Sequence, residues 1–213
     1  LILKFNKTII IIFFALNSSC IKLAQSIIGV KSPKQLTNCQ IEKTSKSFKV
    51  DQTANYRLDT SYLKFILKLD TIKFKQQIKN HIQPLQALYF NSKGELQKFY
   101  INCYAGGFPN LKWNRGGVLD VFPPKDQAPL DTVLNLNKQL YFIKPVCAST
   151  PILSIEKHNY YVFIYWNKCT KRHSKKLIKC IKKNVSLPKN ENIKLVFVNY
   201  DNVFYKIELI NNK

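Results

Sequence analysis

The chain has 213 residues, 46% of them apolar, and a formal net charge of +22. That apolar share describes a globular protein and excludes a disordered one, while the length suits one domain of ordinary size or two small ones. The positive charge is almost all lysine, with Arg57, Arg115 and Arg172 the only arginines; the side chain best suited to bidentate phosphate and base contacts is scarce, and nucleic acid is not an expected partner.

The chain opens with Lys4 and Lys7 ahead of an unbroken apolar run, Ile9 to Leu16 (IIIIFFAL), followed by Asn17-Ser18-Ser19 and Cys20. A basic flank, a short apolar core and a small-residue exit together describe an export signal. Eight apolar residues fall far short of the roughly 20 needed to span a bilayer. Leu16-Asn17-Ser18-Ser19-Cys20 resembles a bacterial lipoprotein signal. That resemblance implies a signal segment over 1–19, lipidation of Cys20, and a lipid bilayer as partner through the acylated Cys20. Each buried methylene of an acyl chain contributes about 0.8 kcal/mol, so a multiply acylated terminus anchors firmly. Ala24-Gln25-Ser26 offers an alternative cut, which would end the segment at 26 and release a periplasmic or secreted protein. Loss of Cys20 from the six cysteines leaves Cys39, Cys103, Cys147, Cys169 and Cys180. In an oxidising compartment that odd set leaves at least one thiol free or paired with another chain.

Residues 20–39 read as a tether, and the stretch 21–50 is polar and lysine-rich, with at most a loose strand at Ser47–Val50. An α+β lobe is expected over 40–135. Asp59, Thr60 and Ser61 are good capping residues for a helix reaching Leu69. Asp70 begins a second, through Ile82, with Phe74, Ile78 and Ile82 at four-residue spacing and Pro84 as its stop. Leu85–Phe90, the turn Asn91-Ser92-Lys93-Gly94 and Glu95–Tyr104 form a β-hairpin. Ala105–Ala128 is irregular, with two Gly-Gly pairs, three prolines and Trp113. Long ordered loops are often functional, so Phe108 and Trp113 are candidates for a binding surface; the alternative is that these aromatics pack back on the sheet. Asp131 is a candidate cap for a short helix to Leu140, and Tyr141–Val146 reads as a strand.

The segment 136–213 reads as a βαβ lobe. Tyr160–Trp166 (YYVFIYW) is a continuous apolar run, as in a strand covered on both faces. His173, Leu177, Ile181 and Val185 recur every four residues along a helix from Cys169 to Val185, and Ile193–Asn199 is a second buried strand. Strand, helix and strand predict a parallel pair joined by a right-handed crossover. Val203–Leu209 fits a last strand or a short helix. The fold class is therefore α/β.

A buried strand ending in Trp166, with Cys169 opening the next helix, resembles the thioredoxin-like fold, with Arg172 where that family keeps its second cysteine. The resemblance implies a reactive thiol at Cys169. Helix N–H groups, Lys168 and Lys171 would favour its thiolate, and His173, one turn on, is its candidate partner. Eight lysine or arginine residues and no acid lie between Lys168 and Lys183; their face is either solvated or set against anionic headgroups. Among the six cysteines there is no C-x-x-C pair. G-x-S-x-G, H-E-x-x-H and the P-loop are missing too, and no metal site or cofactor is expected. The expected function is that of an exported, lipid-anchored envelope protein with a non-catalytic binding or structural role, an envelope protein being a further candidate partner. The alternative is a thiol-disulfide oxidoreductase using Cys169.

Overall fold

The computed structural model describes residues 29–130, 133–153, 155 and 158–211. The apolar opening, Cys20, residues 21–28 of the expected tether and the expected cap Asp131 lie outside them. Where a polar tether or loose strand was expected, the chain forms helix α1 (Asn38–Ser47). The cause is a capping box: Gln40 N–H donates to Thr37 Oγ1 (3.3 Å) and Thr37 N–H to Gln40 Oε1 (3.0 Å). A short 3-10 turn (Gln52–Ala54) then leads into β1 (Asn55–Leu58).

Helix α2 (Ser61–Leu67) starts where Asp59 Oδ1 accepts the Ser61 N–H at 2.8 Å. Asp70 caps a turn rather than a regular helix, accepting from Ile72 and Lys73 N–H (2.8 and 2.9 Å). Helix α3 itself spans Lys75–His81. The expected hairpin is present as β2 (Gln86–Asn91) and β3 (Leu96–Ile101). Its turn needs glycine: Gly94 has φ +77, and a Cβ there would sit 3.2 Å from Leu136 Cβ. Helix α4 (Leu136–Phe142) is capped by Asn135, whose Oδ1 accepts the Lys138 N–H at 3.0 Å. It runs directly into β4 (Ile143–Pro145). The last third holds β5 (Tyr160–Trp166), α5 (Lys171–Val185), β6 (Ile193–Asn199) and α6 (Asp201–Asn211). The ambiguous tail is thus a helix.

All six strands join one mixed sheet in the order β3-β2-β5-β6-β1-β4. β5, β6 and β1 run parallel; the hairpin and β4 are antiparallel to their neighbours. Strands from before and after residue 136 are interleaved: β2 pairs with β5 from Gln86↔Tyr165 to Asn91↔Tyr160. The fold is α/β, with helices on both faces.

Alternation along the strands builds two cores. On one face Leu88, Phe90, Phe163, Tyr165 and Val198 meet α2, α4 and α6. On the other Tyr89, Val162, Ile164, Trp166 and Phe197 meet α1, α5 and the 105–128 segment. Leu177, Ile178 and Ile181 seat α5 on that second face, all at most 2% exposed. Each such aliphatic side chain, fully buried, contributes about 1.5–3 kcal/mol. No described helix is long and apolar enough to cross a membrane.

Candidate functional site

β5 and β6 end side by side at the pair Trp166↔Asn199, and each then turns into a helix. In open α/β sheets ligands bind in the crevice outside the carboxyl ends of parallel strands. Two polar residues at these strand exits shape the crevice. Asn167 is fully buried and its Oδ1 accepts from Thr170 N–H (2.8 Å), Thr170 Oγ1 (2.6 Å) and Cys169 Sγ (3.1 Å). Its Nδ2 donates to Pro84 O at 2.9 Å, at the start of β2. Asp201, 1% exposed, accepts the Lys168 N–H on both oxygens (3.0 and 2.8 Å) and Asn199 Nδ2 at 2.6 Å. The β5–α5 loop is therefore pinned to the head of α6.

The structure places Cys169 in that loop, ahead of α5 rather than within it. Its side chain is buried, and its thiol hydrogen goes to Asn167. Burial pushes the thiol far above its usual range, the Asp201 carboxylate adds to the rise, and backbone N–H groups offset only part of it. A thiolate-stabilising helix terminus was expected at this position. Depth in the fold outweighs the helix dipole here. His173, 3% exposed, packs edge-on against Phe108 with ring centroids 5.0 Å apart. Among the described residues no hydrogen bond joins Cys169 to His173. The thiol hydrogen is directed to Asn167 instead.

Of the two loop aromatics, Phe108 is half-buried on His173, while Trp113 is 2% exposed within the second core. The indole thus has no free face for a ligand; it packs back on the sheet. The 105–128 segment is held there by Asn184 of α5, whose Nδ2 donates to Leu119 O (2.9 Å) and Val121 O (2.7 Å). Asn184 Oδ1 in turn accepts the Tyr89 hydroxyl at 3.0 Å.

A cavity of about 550 Å³ opens at the head of α5, lined by Gly29, Lys31, Lys168, Lys171, Arg172 and Lys175 beside Cys169. Among the described residues no carboxylate lines it. A second, of about 250 Å³, shares Lys31, Lys168 and Cys169 with it and adds Lys34 and Asp201. The segment before α1 completes both: Lys31 N–H donates to Cys169 O at 2.8 Å, and a Cβ on Gly29 would lie 3.5 Å from His173 Nε2. The five cations of the larger cavity are all exposed. They surround the N-terminal end of a 15-residue helix, whose dipole carries further partial positive charge. The two ion pairs described, Lys46–Glu42 and Lys98–Asp126, lie elsewhere.

The arrangement can hold an anion, and the Cys169 thiol within it is not activated as a nucleophile. Sequence reasoning reached Lys168, Lys171 and Arg172 but missed Lys31, Asn167 and Asp201. The signal for Asn167 was a polar residue directly after a buried strand, and for Asp201 one placed two residues after the next buried strand. Lys31 carried none. No protein-family model, no curated protein and no solved structure matches this chain. What the cleft binds must be argued from its own chemistry.

Proposed function

We propose that the protein is an exported, lipid-anchored component of the cell envelope with a non-catalytic binding role. Its ligand is a phosphate-bearing anion received in the cleft at the head of α5. One observation carries the reading: five exposed cations line a single cavity that, among the described residues, no carboxylate lines. Clefts lined by one sign of charge focus the field and concentrate counter-ions, and helix N–H groups add donors suited to phosphate oxygens. The export half of the reading is supported by the basic-apolar-small pattern ahead of Cys20.

What weighs against the thiol-disulfide alternative is the state of Cys169. A buried thiol whose proton is engaged by Asn167 is a poor nucleophile at neutral pH.

Calorimetric titration of the full-length protein with tripolyphosphate tests the binding reading. The expected result is saturable binding that weakens at least tenfold in K171A/R172A, both exposed positions. Binding should also weaken from low to physiological salt, as surface electrostatics require. No saturable heat, or equal affinity in the double variant, would overturn it.

A further inference from the structure

The larger cleft does not end at Lys175. That lysine also lines a groove of about 440 Å³ with Lys49, Lys179 and Lys182. Lys171, Lys175, Lys179 and Lys182 follow one another at helical spacing, so they share one face of α5. Leu177 and Ile181 seat the helix on the sheet from a neighbouring stripe, and Ile178 borders the lysines in the groove. The helix therefore lies flat on the sheet, and these four exposed lysines run along its flank for about 17 Å, at 1.5 Å per residue. Among the described residues no acid lines either cavity, and none occurs in α5. A pocket for one small anion would need only the head of the helix. A charged surface of this length matches an extended array of negative groups.

The chain joins the fold on this same face. Gly29 lines the cleft, and Lys31 is hydrogen-bonded to Cys169. Gly29 lies nine residue steps from Cys20. Fully extended, these steps reach about 30 Å. An acyl anchor on Cys20 would thus keep the α5 face within reach of the bilayer surface.

Resting on the anion-binding reading, we infer that the partner of this surface is the anionic headgroup layer of a membrane. The lysine face of α5 docks flat on it, beside the lipid-anchored terminus. A polybasic patch beside an acylated terminus adds electrostatic attraction to anionic headgroups and fixes which face meets the bilayer. Each lysine near an anionic surface contributes about a fivefold gain in partitioning.

The test uses the full chain carrying C20A, so that no acyl group contributes, and vesicle co-sedimentation as readout. Vesicles are pure phosphatidylcholine, or phosphatidylcholine with about one-third phosphatidylglycerol. The expected result is binding to the anionic vesicles only. K171Q/K175Q/K179Q should reduce it roughly a hundredfold. K73Q/K75Q/K79Q, an equal charge change on and beside α3, which packs toward the first core, should reduce it less than about threefold. Equal losses in the two triple variants would overturn the inference, because the whole chain's charge would then be responsible. Absence of vesicle binding with tripolyphosphate binding intact would also overturn it and leave the cleft reading standing. Absence of both would remove the two together.

Discussion

Replacing Asp201 by alanine separates a carboxylate that stabilises the crevice from one that strains it. Asp201 is 1% exposed, and burial raises its pKa from 3.8 to about 6, against the hydrogen bonds from Asn199 and from the Lys168 and Cys169 N–H groups and the charge of Lys168. Because the folded state holds this proton more tightly than the unfolded state, its contribution is fully present below pH 3.8 and is lost as pH rises through 6. At about 1.4 kcal/mol per pKa unit the full loss is about 3 kcal/mol, of which about 2.5 falls between pH 4 and pH 8. Urea unfolding of wild type and D201A at a series of pH values measures it. The stability difference, wild type minus variant, should shrink by about that amount from pH 4 to pH 8. Asp59, held below its ordinary range by Ser61, and Asp70, held down by the Lys73 and Ile72 N–H groups, act with the opposite sign. They are present in both proteins and cancel. A difference that is flat with pH, or that grows as pH rises, would refute the reasoning, since the ionised carboxylate would then be stabilised by its neighbours.

Three further outcomes follow from the same packing. Cys39 and Cys103, both exposed, should react with a maleimide at neutral pH within the mixing time, while Cys169 reacts only at the rate of unfolding; mass mapping that finds Cys169 labelled as fast as Cys39 would contradict its burial. Asn184→Ala removes the acceptor of Tyr89 and both donors to the 105–128 segment, and should cost about 3 kcal/mol. It should also open protease cleavage within 105–128, and an unchanged digestion pattern would show that Asn184 does not hold the segment. Thr37→Ala should lower stability by about 1 kcal/mol through the lost cap of α1. A change within error in chemical denaturation would mean that tertiary packing alone holds that helix.

The legible parts of the fold were those with strong local patterns. YYVFIYW and IKLVFVN became strands over the expected residues because both are predominantly apolar and β-favouring runs, buried along most of β5 and the second half of β6. The four-residue recurrence from His173 to Val185 placed α5 to within its first turn, where Asn167 displaces the helix start past Cys169. Helix α1 was missed because its core face is a single fully buried apolar side chain, Ile41, and its start is set by Thr37 and Gln40, a polar signal without hydrophobic periodicity. β1 is only four residues long and is recruited by β6, a partner more than 130 residues away. Local propensity cannot announce such a pairing.

The site was half legible for a related reason. Charge on α5 is visible in any reading of its residues, but a cleft is a property of what faces it. Lys31 reaches the head of α5 through a backbone hydrogen bond to Cys169, a contact between segments separated by most of the chain. The environment of the thiol was not legible, because a helix dipole can be read from position, whereas the burial of Cys169 beside Asn167 and Asp201 cannot. Trp113 followed the same rule. An aromatic among glycines and prolines has the composition of a binding loop, yet the core beneath β2 and β5 claims it.

Amide chemical-shift mapping during titration with tripolyphosphate tests the central claim most directly, because it locates the anion rather than merely detecting it. The account predicts saturable shifts concentrated at Gly29, Lys31 and Lys168–Lys175, with the amides around Lys75 and Lys79 of α3 unmoved. Shifts spread evenly over the lysines of both faces, or none at the head of α5, would contradict it.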